Sequence, residues 1–209
     1  MNNFFNYNNF FFDFDGTICH TSDGIISSLN QSISSVTSLD LKLNYEIIGP
    51  PLKEMVTGIL PYENMGDIEK ILNNFRKHYD QCGFKISKLF PYFINILKIL
   101  EIAEKKIFIV TNKPSHVTKK ILSLHKIDKF FIECVSVDKK SNLKRSKSTI
   151  IDRIIQSHNL ILSQSVFIGD TMDDFIAAKN SGMDYLNYNN GYGQIEKECF
   201  SIDCYSQLI

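Results

Sequence analysis

The sequence has no tryptophan, no net charge and no cysteine pair at the spacing of a metal or redox site. Its 209 residues include 23 basic and 23 acidic side chains. Because nucleic acids and anionic membranes attract an excess of positive charge, this balance argues against a protein dedicated to binding either. The absence of tryptophan accompanies heavy use of Asn, Lys and Ile, which we interpret as the codon bias of an AT-rich genome.

The cysteines are few and scattered, and none forms a C-x-x-C pair. This pattern argues against a zinc ribbon and a thioredoxin-like site, and it predicts ordinary reduced thiols. The five positions are Cys19, Cys82, Cys134, Cys199 and Cys204.

The chain also lacks a secretory signal and a long hydrophobic run. Its first residues carry no basic segment and no small-residue cleavage site. The longest apolar stretch, LFPYFINILKIL, is interrupted by Asn95 and Lys98 and is too short to cross a bilayer. We therefore expect a cytoplasmic protein without a membrane partner.

Apolar runs and helical patterns alternate in the second half of the chain. Short apolar runs predict strands over residues 9–14, 107–110, 131–137, 166–168 and 183–188. Apolar residues at helical spacing predict helices over residues 22–36, 64–82, 91–104 and 172–181, with two more beginning at Pro114 and near Ser146. Repeated β-α units predict an α/β fold, with helices on both faces of a parallel sheet.

The helical block after the first strand is too long for a simple crossover between strands. We expect residues 19–87 to form an inserted α-helical domain above the carboxyl ends of the strands, the edge where open α/β sheets bind ligands. The catalytic core would then comprise residues 1–18 and 88–209.

Two groups of aspartates follow predicted strands. Asp13 and Asp15 close the first strand, and the two-residue period puts both on one side. Asp170 ends a later strand, and Asp174 lies one helical turn further on. An acidic turn in solvent and helix capping are the alternatives, but they do not explain why both strands end in aspartates. Carboxylates that meet at one sheet edge repel each other, and oxygen ligands without nearby His or Cys favour Mg²⁺.

A candidate anion site accompanies the aspartates. Thr111 and Asn112 close the strand IFIV, and Lys147 begins a predicted helix. A helix N-terminus and a lysine together bind phosphate well. The alternative for Lys147 is a solvated lysine in the basic run that also contains Lys139, Lys140, Lys144 and Arg145.

These residues form four ordered motifs, Asp13–Thr17, Thr111 in IVTNKP, Lys147 in an R-x-K setting, and Gly169-Asp170-Thr171 with Asp174. With them, the sequence resembles the haloacid dehalogenase superfamily over residues 9–208, and within it the phosphoglycolate-phosphatase-like branch. The resemblance implies a Rossmann-like core, a parallel sheet flanked by helices, with an inserted α-helical cap.

The resemblance also implies a role for each motif. Asp13 would be the nucleophile, and Asp15 the general acid and base. Thr111 and Lys147 would hold the phosphoryl oxygens. The implied Mg²⁺ ligands are Asp13, the main-chain carbonyl of Asp15, and Asp170, with Asp174 ordering metal-bound water.

Two positions depart from the branch. His20 and Thr21 stand where it often has Asp-Ser, and the frequent K-P-x-P form of the third motif is missing. We interpret His20 as an exposed hinge residue in preference to a contact that closes the cap. The R-x-K form favours Lys147 over Lys144 as the third-motif lysine.

The segment Gly49-Pro50-Pro51-Leu52 resembles the specificity loop of the cap. We expect the loop Gly49–Lys53 to descend over the active site, with Gly49, Pro50 and Asn112 among the residues that bind substrate. Lys53, or Arg76 on the long cap helix, would contact the non-reacting end of the substrate. The alternative is a structural joint with both charges in solvent.

The motifs together predict a Mg²⁺-dependent phosphatase that hydrolyses a small phosphorylated metabolite through an aspartyl-phosphate intermediate. We expect a monomer or homodimer that binds no nucleic acid. The alternatives are a sugar-phosphate mutase similar to β-phosphoglucomutase and a catalytically silent binding module. Phosphorylated acids, sugar phosphates, nucleotides and pyrophosphate all remain open as substrates.

Overall fold

A computed structural model describes residues 4–60, 65–136, 146–195 and 199–209. Within these residues, six strands form a parallel sheet: β1 (Asn9–Phe12), β4 (Lys106–Thr111), β5 (Glu133–Ser136), β6 (Ser165–Gly169), β7 (Asp184–Tyr188) and β8 (Phe200–Ile202). Their spatial order is β5-β4-β1-β6-β7-β8. Because β1 lies in the interior between β4 and β6, the ends of these three strands lie side by side.

Helices cover both faces of the sheet. On one face lie α4 (Phe93–Ile102) and α5 (Ser115–Leu124), and on the other lie α6 (Lys147–Ser157) and α7 (Met172–Asn180). Hydroxyl groups cap two of these helices: Ser146 accepts from the Thr149 main-chain N–H, and Thr171 accepts from that of Asp174. Both caps fix the start of a helix at the carboxyl edge of the sheet.

The aromatic run of β1 explains its position inside the sheet. Phe10, Phe11 and Phe12 are fully buried. Phe11 stacks on Phe108 of β4 with ring centroids 4.9 Å apart, whereas Phe12 points to the other face and meets Phe93 of α4 at 5.4 Å. Alternate residues thus fill the two cores, as expected for a strand that is buried on both faces.

The segment between β1 and α4 is mainly helical. It contains α1 (Ser22–Ser34), α2 (Leu52–Ile59) and α3 (Met65–Gln81), and α1 packs against α3. A short antiparallel pair, β2 (Cys19–His20) with β3 (Lys88–Leu89), lies where the chain enters and leaves this segment. The division into a core of residues 1–18 and 88–209 and a cap of residues 19–87 stays a prediction.

The predicted fold class, an α/β parallel sheet flanked by helices, is confirmed. The element boundaries differ by a few residues, and β1 ends at Phe12 rather than at residue 14. Of the strand predicted over 131–137, β5 covers Glu133–Ser136, and Val137 lies outside the described residues.

Some short elements were not predicted. These are β8, the β2–β3 pair and α2, whose N-cap is Pro51. The prediction of a loop over Gly49–Lys53 is therefore wrong at its C-terminal end, because Leu52 and Lys53 belong to the first turn of α2.

In the part of the chain that the structure describes, no helix is both long enough and apolar enough to span a membrane.

Candidate active site

Three aspartates converge at the carboxyl edge of the sheet. Asp13 follows β1, Asp170 follows β6, and Asp174 lies in the first turn of α7. All three are buried, and their carboxylate oxygens lie within 4.8 Å of one another. The main-chain N–H of Asp13 donates to the carbonyl of Ile168 at 2.9 Å, which extends the β1–β6 pairing to the site itself.

Lys147 reaches this group from the first residue of α6. Its Nζ donates to Asp13 Oδ1 at 2.9 Å and to Asp174 Oδ1 at 2.6 Å, and the lysine is buried. The structure therefore brings together four residues that the sequence predicted for the site. The run around Lys139, Lys140, Lys144 and Arg145 lies outside the described residues.

Hydrogen bonds fix both oxygens of Asp170. Oδ1 accepts from the Thr17 hydroxyl at 2.7 Å, and Oδ2 accepts from the main-chain N–H of Tyr192 at 2.7 Å. Glycine is needed at Gly16, where φ is +84° and a Cβ atom would clash with the Asp170 carboxylate. A Cβ atom at Gly191 would clash with the same side chain. The chain thus encloses this carboxylate closely.

Asp174 is fixed by the cap of its own helix. Its Oδ2 accepts from the Thr171 hydroxyl at 2.6 Å and from the Thr171 main-chain N–H at 3.0 Å. The other oxygen is thereby left for Lys147. One side chain thus both begins α7 and orients the ammonium group of the site.

The pKa values of the charged groups in the cluster are shifted, because the carboxylates are buried with little positive charge near them. Burial, followed by the Asp174 charge, raises the pKa of Asp170 to about 7. Burial likewise raises the pKa of Asp13 well above its usual range, against the opposing effect of Lys147. Burial lowers the pKa of Lys147, but the Asp13 and Asp174 charges outweigh it and the net change is upward.

The donor set fits a divalent cation. Among the described residues, three buried carboxylates face one ammonium group, that of Lys147, which pairs with Asp13 and Asp174, so the cluster has an excess of negative charge. A bound cation would offset the repulsion among these carboxylates. Carboxylate oxygens are ligands that Mg²⁺ accepts readily. Asp13, Asp170 and Asp174 are therefore the side chains that could hold it.

The carboxylate of Asp15 belongs to a different set of contacts. Lys113 Nζ donates to Asp15 Oδ1 at 2.9 Å and to Oδ2 at 3.1 Å. The Thr21 hydroxyl donates to Oδ1 at 2.6 Å. Asp15 is also the more exposed partner, with 18% of its side chain accessible against 4% for Lys113. A molecule at the sheet edge can therefore reach Asp15, while Lys113 stays enclosed.

Lys113 and Tyr79 are site residues that were not predicted from the sequence. Lys113 Nζ also donates to the hydroxyl of Tyr79 on α3 at 2.9 Å. Burial lowers the pKa of Lys113, but the nearby Asp15 charge and Tyr79 reverse the change and raise it. The available signals were the third residue of T-N-K and a tyrosine on the apolar stripe of a helix.

Tyr192 is a third unassigned residue. Its hydroxyl accepts from the main-chain N–H groups of Thr21 and Ser22 at 2.6 and 2.9 Å. Because its own main-chain N–H binds Asp170, Tyr192 links the start of α1 to the aspartate cluster. The sequence offered only its position between two glycines.

The two residues predicted at the end of β4 have different surroundings. Thr111 is buried, and its hydroxyl accepts from the main-chain N–H of Lys113 at 3.2 Å. Asn112 donates through its side-chain amide to Asp173 at 3.3 Å, at the exposed start of α7. Asn112 thus bridges β4 to α7 at the rim of the site.

The predicted cap residues divide into two groups. Gly49, with φ at +138°, lies beside Thr171, because a Cβ atom there would come within 3.6 Å of the threonine methyl group. Pro50 follows it on the surface. Lys53 and Arg76 are exposed, and Arg76 donates to Asn73 of its own helix at 3.3 Å. A contact of either charge with substrate stays a prediction.

The expectation that His20 is exposed is wrong, whereas its role as a hinge stays a prediction. Its ring is half-buried and makes edge contacts with Phe90 and Tyr192, each at a centroid distance of 5.9 Å. Its two aromatic partners come from distant segments of the chain, and no pattern within the sequence predicts that contact.

The sequence profile of the haloacid dehalogenase-like hydrolases matches residues 10–188 of this chain. A phosphoglycolate phosphatase from Vibrio vulnificus is 26% identical over 198 residues, covering 88% of this chain and 85% of the relative. One from Vibrio cholerae is 32% identical over 122 residues, 58% of this chain, and this alignment spans only about half of that protein, 54%. The pyrophosphatase PpaX of Halalkalibacterium halodurans is 26% identical, over 84% of this chain and 80% of its own length.

Solved structures share the fold. A haloacid dehalogenase-like family protein from Streptococcus pneumoniae superposes with a TM-score of 0.84 at 22% identity, covering 97% of each chain. CbbY from Rhodobacter sphaeroides, solved in complex with phosphate, gives a TM-score of 0.79 at 14% identity, covering 97% of this chain and 96% of its own. The three sequence relatives above carry the names of phosphatases, and with the profile match over most of its length, the chain belongs to the haloacid dehalogenase-like hydrolase family.

Proposed function

We propose that this hydrolase is a Mg²⁺-dependent phosphatase that cleaves a small phosphate monoester through an aspartyl-phosphate intermediate, as a phosphoglycolate-phosphatase-like enzyme would. One observation carries the proposal: the Asp13 carboxylate lies at the carboxyl edge of the sheet, paired with Lys147 and within 4.8 Å of two further aspartates. This combination gives an anionic nucleophile and the positive charge that it needs beside an anionic phosphate.

In the first step, an oxygen of Asp13 attacks phosphorus. The new bond joins Asp13 to phosphorus, and the bond from phosphorus to the leaving oxygen breaks. Lys147 offsets the charge that moves between these oxygens, since its Nζ lies 2.9 Å from the attacking carboxylate. Thr111 and Asn112, at the end of β4, would bind the other phosphoryl oxygens.

Asp15 serves both halves of the reaction. As an acid, it gives its proton to the leaving oxygen. As a base, it then takes a proton from the water that attacks phosphorus and releases Asp13. The greater exposure of Asp15 relative to Lys113 supports this role, because both protons pass to or from groups outside the protein.

The proposed metal ligands are Asp13, the main-chain carbonyl of Asp15, and Asp170, with Asp174 ordering bound water. When bound, Mg²⁺ would neutralise charge on the phosphoryl oxygens. The excess of buried carboxylates over ammonium groups supports this assignment.

The relatives support a small phosphorylated substrate and do not single one out. Their names point to phosphoglycolate and to pyrophosphate. The mutase and the silent binding module remain the alternatives. A mutase would need a bisphosphate for turnover, whereas a phosphatase needs only water. The cytoplasmic location and the monomeric or dimeric state stay predictions.

Hydrolysis of p-nitrophenyl phosphate, with and without Mg²⁺, tests the proposal. We expect turnover that requires the metal and no added bisphosphate. A panel of phosphate monoesters and pyrophosphate then identifies the preferred substrate. No turnover in any of these assays would contradict the proposal, and an added bisphosphate would then separate the mutase, which it activates, from the binding module, which stays silent.

A further inference from the structure

The ammonium group of Lys113 is fully committed to two neighbours. It has three N–H donors, and the structure gives it three oxygen acceptors: both carboxylate oxygens of Asp15 and the hydroxyl of Tyr79. Because the lysine is buried, water cannot replace a lost partner without rearrangement. A change at Tyr79 must therefore shift the lysine or leave a donor unpaired.

Tyr79 is itself held rigidly. It is buried on α3, and its ring stacks on Phe75 with centroids 5.3 Å apart and planes 8° from parallel. Lys113 Nζ lies 4.7 Å from the centroid of this ring, on the side of the hydroxyl that accepts its hydrogen bond. The position of Lys113 is thus set by a side chain of the inserted helical segment.

The other hydrogen bond to Asp15 also comes from that segment. Thr21, the N-cap residue of α1, donates to Asp15 Oδ1 at 2.6 Å. The carboxylate of Asp15 therefore touches Thr21 directly and Tyr79 through Lys113. Its orientation depends on α1 and α3 being packed against the sheet edge.

We propose that Tyr79 is a positioning residue: its hydroxyl fixes Lys113, which fixes the Asp15 carboxyl group where it can protonate the leaving oxygen. The inference rests on the acid role of Asp15 in the proposed function. Proton delivery by Asp15, and not the attack by Asp13, is then the step that depends on α3.

A series of substituted phenyl phosphates tests this with Tyr79→Phe. p-Nitrophenoxide leaves with little help from a proton, whereas unsubstituted phenoxide needs one. We expect Tyr79→Phe to lower kcat/KM for phenyl phosphate about tenfold, a fraction of the effect of a complete general acid. The loss for p-nitrophenyl phosphate should be less than about threefold, since misplacement of the acid matters little there. The slope of log kcat/KM plotted against leaving-group basicity should therefore be steeper in Tyr79→Phe than in the wild type.

Tyr185→Phe is the matched control. Tyr185 is also buried and also donates one hydrogen bond, to Asn187 at 3.1 Å, but it lies on β7. We expect it to leave the slope unchanged. Lys113→Arg, which keeps the charge and alters the geometry of the donors, should steepen the slope as Tyr79→Phe does. Thermal melts confirm that each variant is folded.

The outcomes separate this inference from the proposed function. A wild-type protein that hydrolyses none of the esters overturns both. An active wild type with the same slope in Tyr79→Phe overturns the inference alone. A uniform loss across the series in Tyr79→Phe, or an equal steepening in Tyr185→Phe, also overturns it, because a structural defect would act in that way.

Discussion

The hydroxyl of Thr17 donates a hydrogen bond of 2.7 Å to Asp170, although 153 positions separate the two residues. Both side chains are fully buried. Thr17 follows β1 and Asp170 follows β6, so this bond joins the two strand ends that carry the aspartate cluster. The bond is thus part of both the fold and the site.

Thr17→Val keeps the shape of the side chain and removes the donor. We expect the free energy of unfolding to fall by about 1–3 kcal/mol, because a buried acceptor loses its partner. Urea denaturation at constant Mg²⁺ measures the change. Thr57→Val, at an exposed position of α2, is the control and should change stability by less than about 0.5 kcal/mol. Equal effects of the two substitutions would contradict the assigned importance of the Thr17 bond.

Mg²⁺ should stabilise the folded protein. Binding to the folded state alone adds about 2.7 kcal/mol when the free metal is at a hundred times its Kd. We expect Mg²⁺ to raise the Tm of the wild-type protein, and Asp170→Ala to remove most of that rise. Asp173→Asn alters an exposed carboxylate three residues away and should keep it. A full metal response in Asp170→Ala would place the metal elsewhere.

The aspartate cluster could be predicted because its position follows from topology. Asp13 and Asp170 each end an apolar run, and the carboxyl ends of parallel strands share an edge. This argument requires only the order of the elements, which hydrophobic patterning in the sequence provides. Lys147 needed more: its place at a helix start was weak evidence alone, and its order relative to the aspartates and the R-x-K form of its motif favoured it.

Lys113 and Tyr79 could not be predicted in the same way. The spacing of α3 placed the Tyr79 ring in the core, but the partner of its hydroxyl lies 34 positions away. A lysine after a strand is usually solvated, and Lys113 is buried only because Asp15 and Tyr79 meet it there. Such burial depends on tertiary packing, which local patterns do not encode.

The missed elements are short. The eight residues of α2 span about two turns, and the Gly-Pro-Pro break before them dominated the local pattern. The three-residue strand β8 lies at the sheet edge, with two of its residues exposed. Neither segment has enough residues for a clear period.

Lys53 and Arg76 test the role of the helical segment in specificity. If either contacts the non-reacting end of the substrate, its replacement by alanine should lower kcat/KM for the preferred substrate and spare p-nitrophenyl phosphate. Lys70→Ala, at an exposed position of α3, is the control. Equal losses on both substrates, or none, would make the Gly49–Pro51 segment a structural joint.

Asp13→Asn should abolish turnover and keep the fold. An amide cannot attack phosphorus, so we expect a loss of more than a thousandfold, which corresponds to about 4 kcal/mol in the barrier. Without metal, the variant should be at least as stable as the wild type, because one of three crowded carboxylates is gone. A retained rate above that limit would contradict the nucleophile assignment.

The most direct test is to trap the covalent intermediate. The enzyme is mixed with the best substrate of the panel, quenched with acid within the first turnover, digested and analysed by mass spectrometry. We predict one added phosphoryl group on the peptide that contains Asp13, located at Asp13 itself and missing in Asp13→Asn. Full turnover with no phosphoryl group on Asp13 at any quench time, or with the group on another residue, would contradict the account.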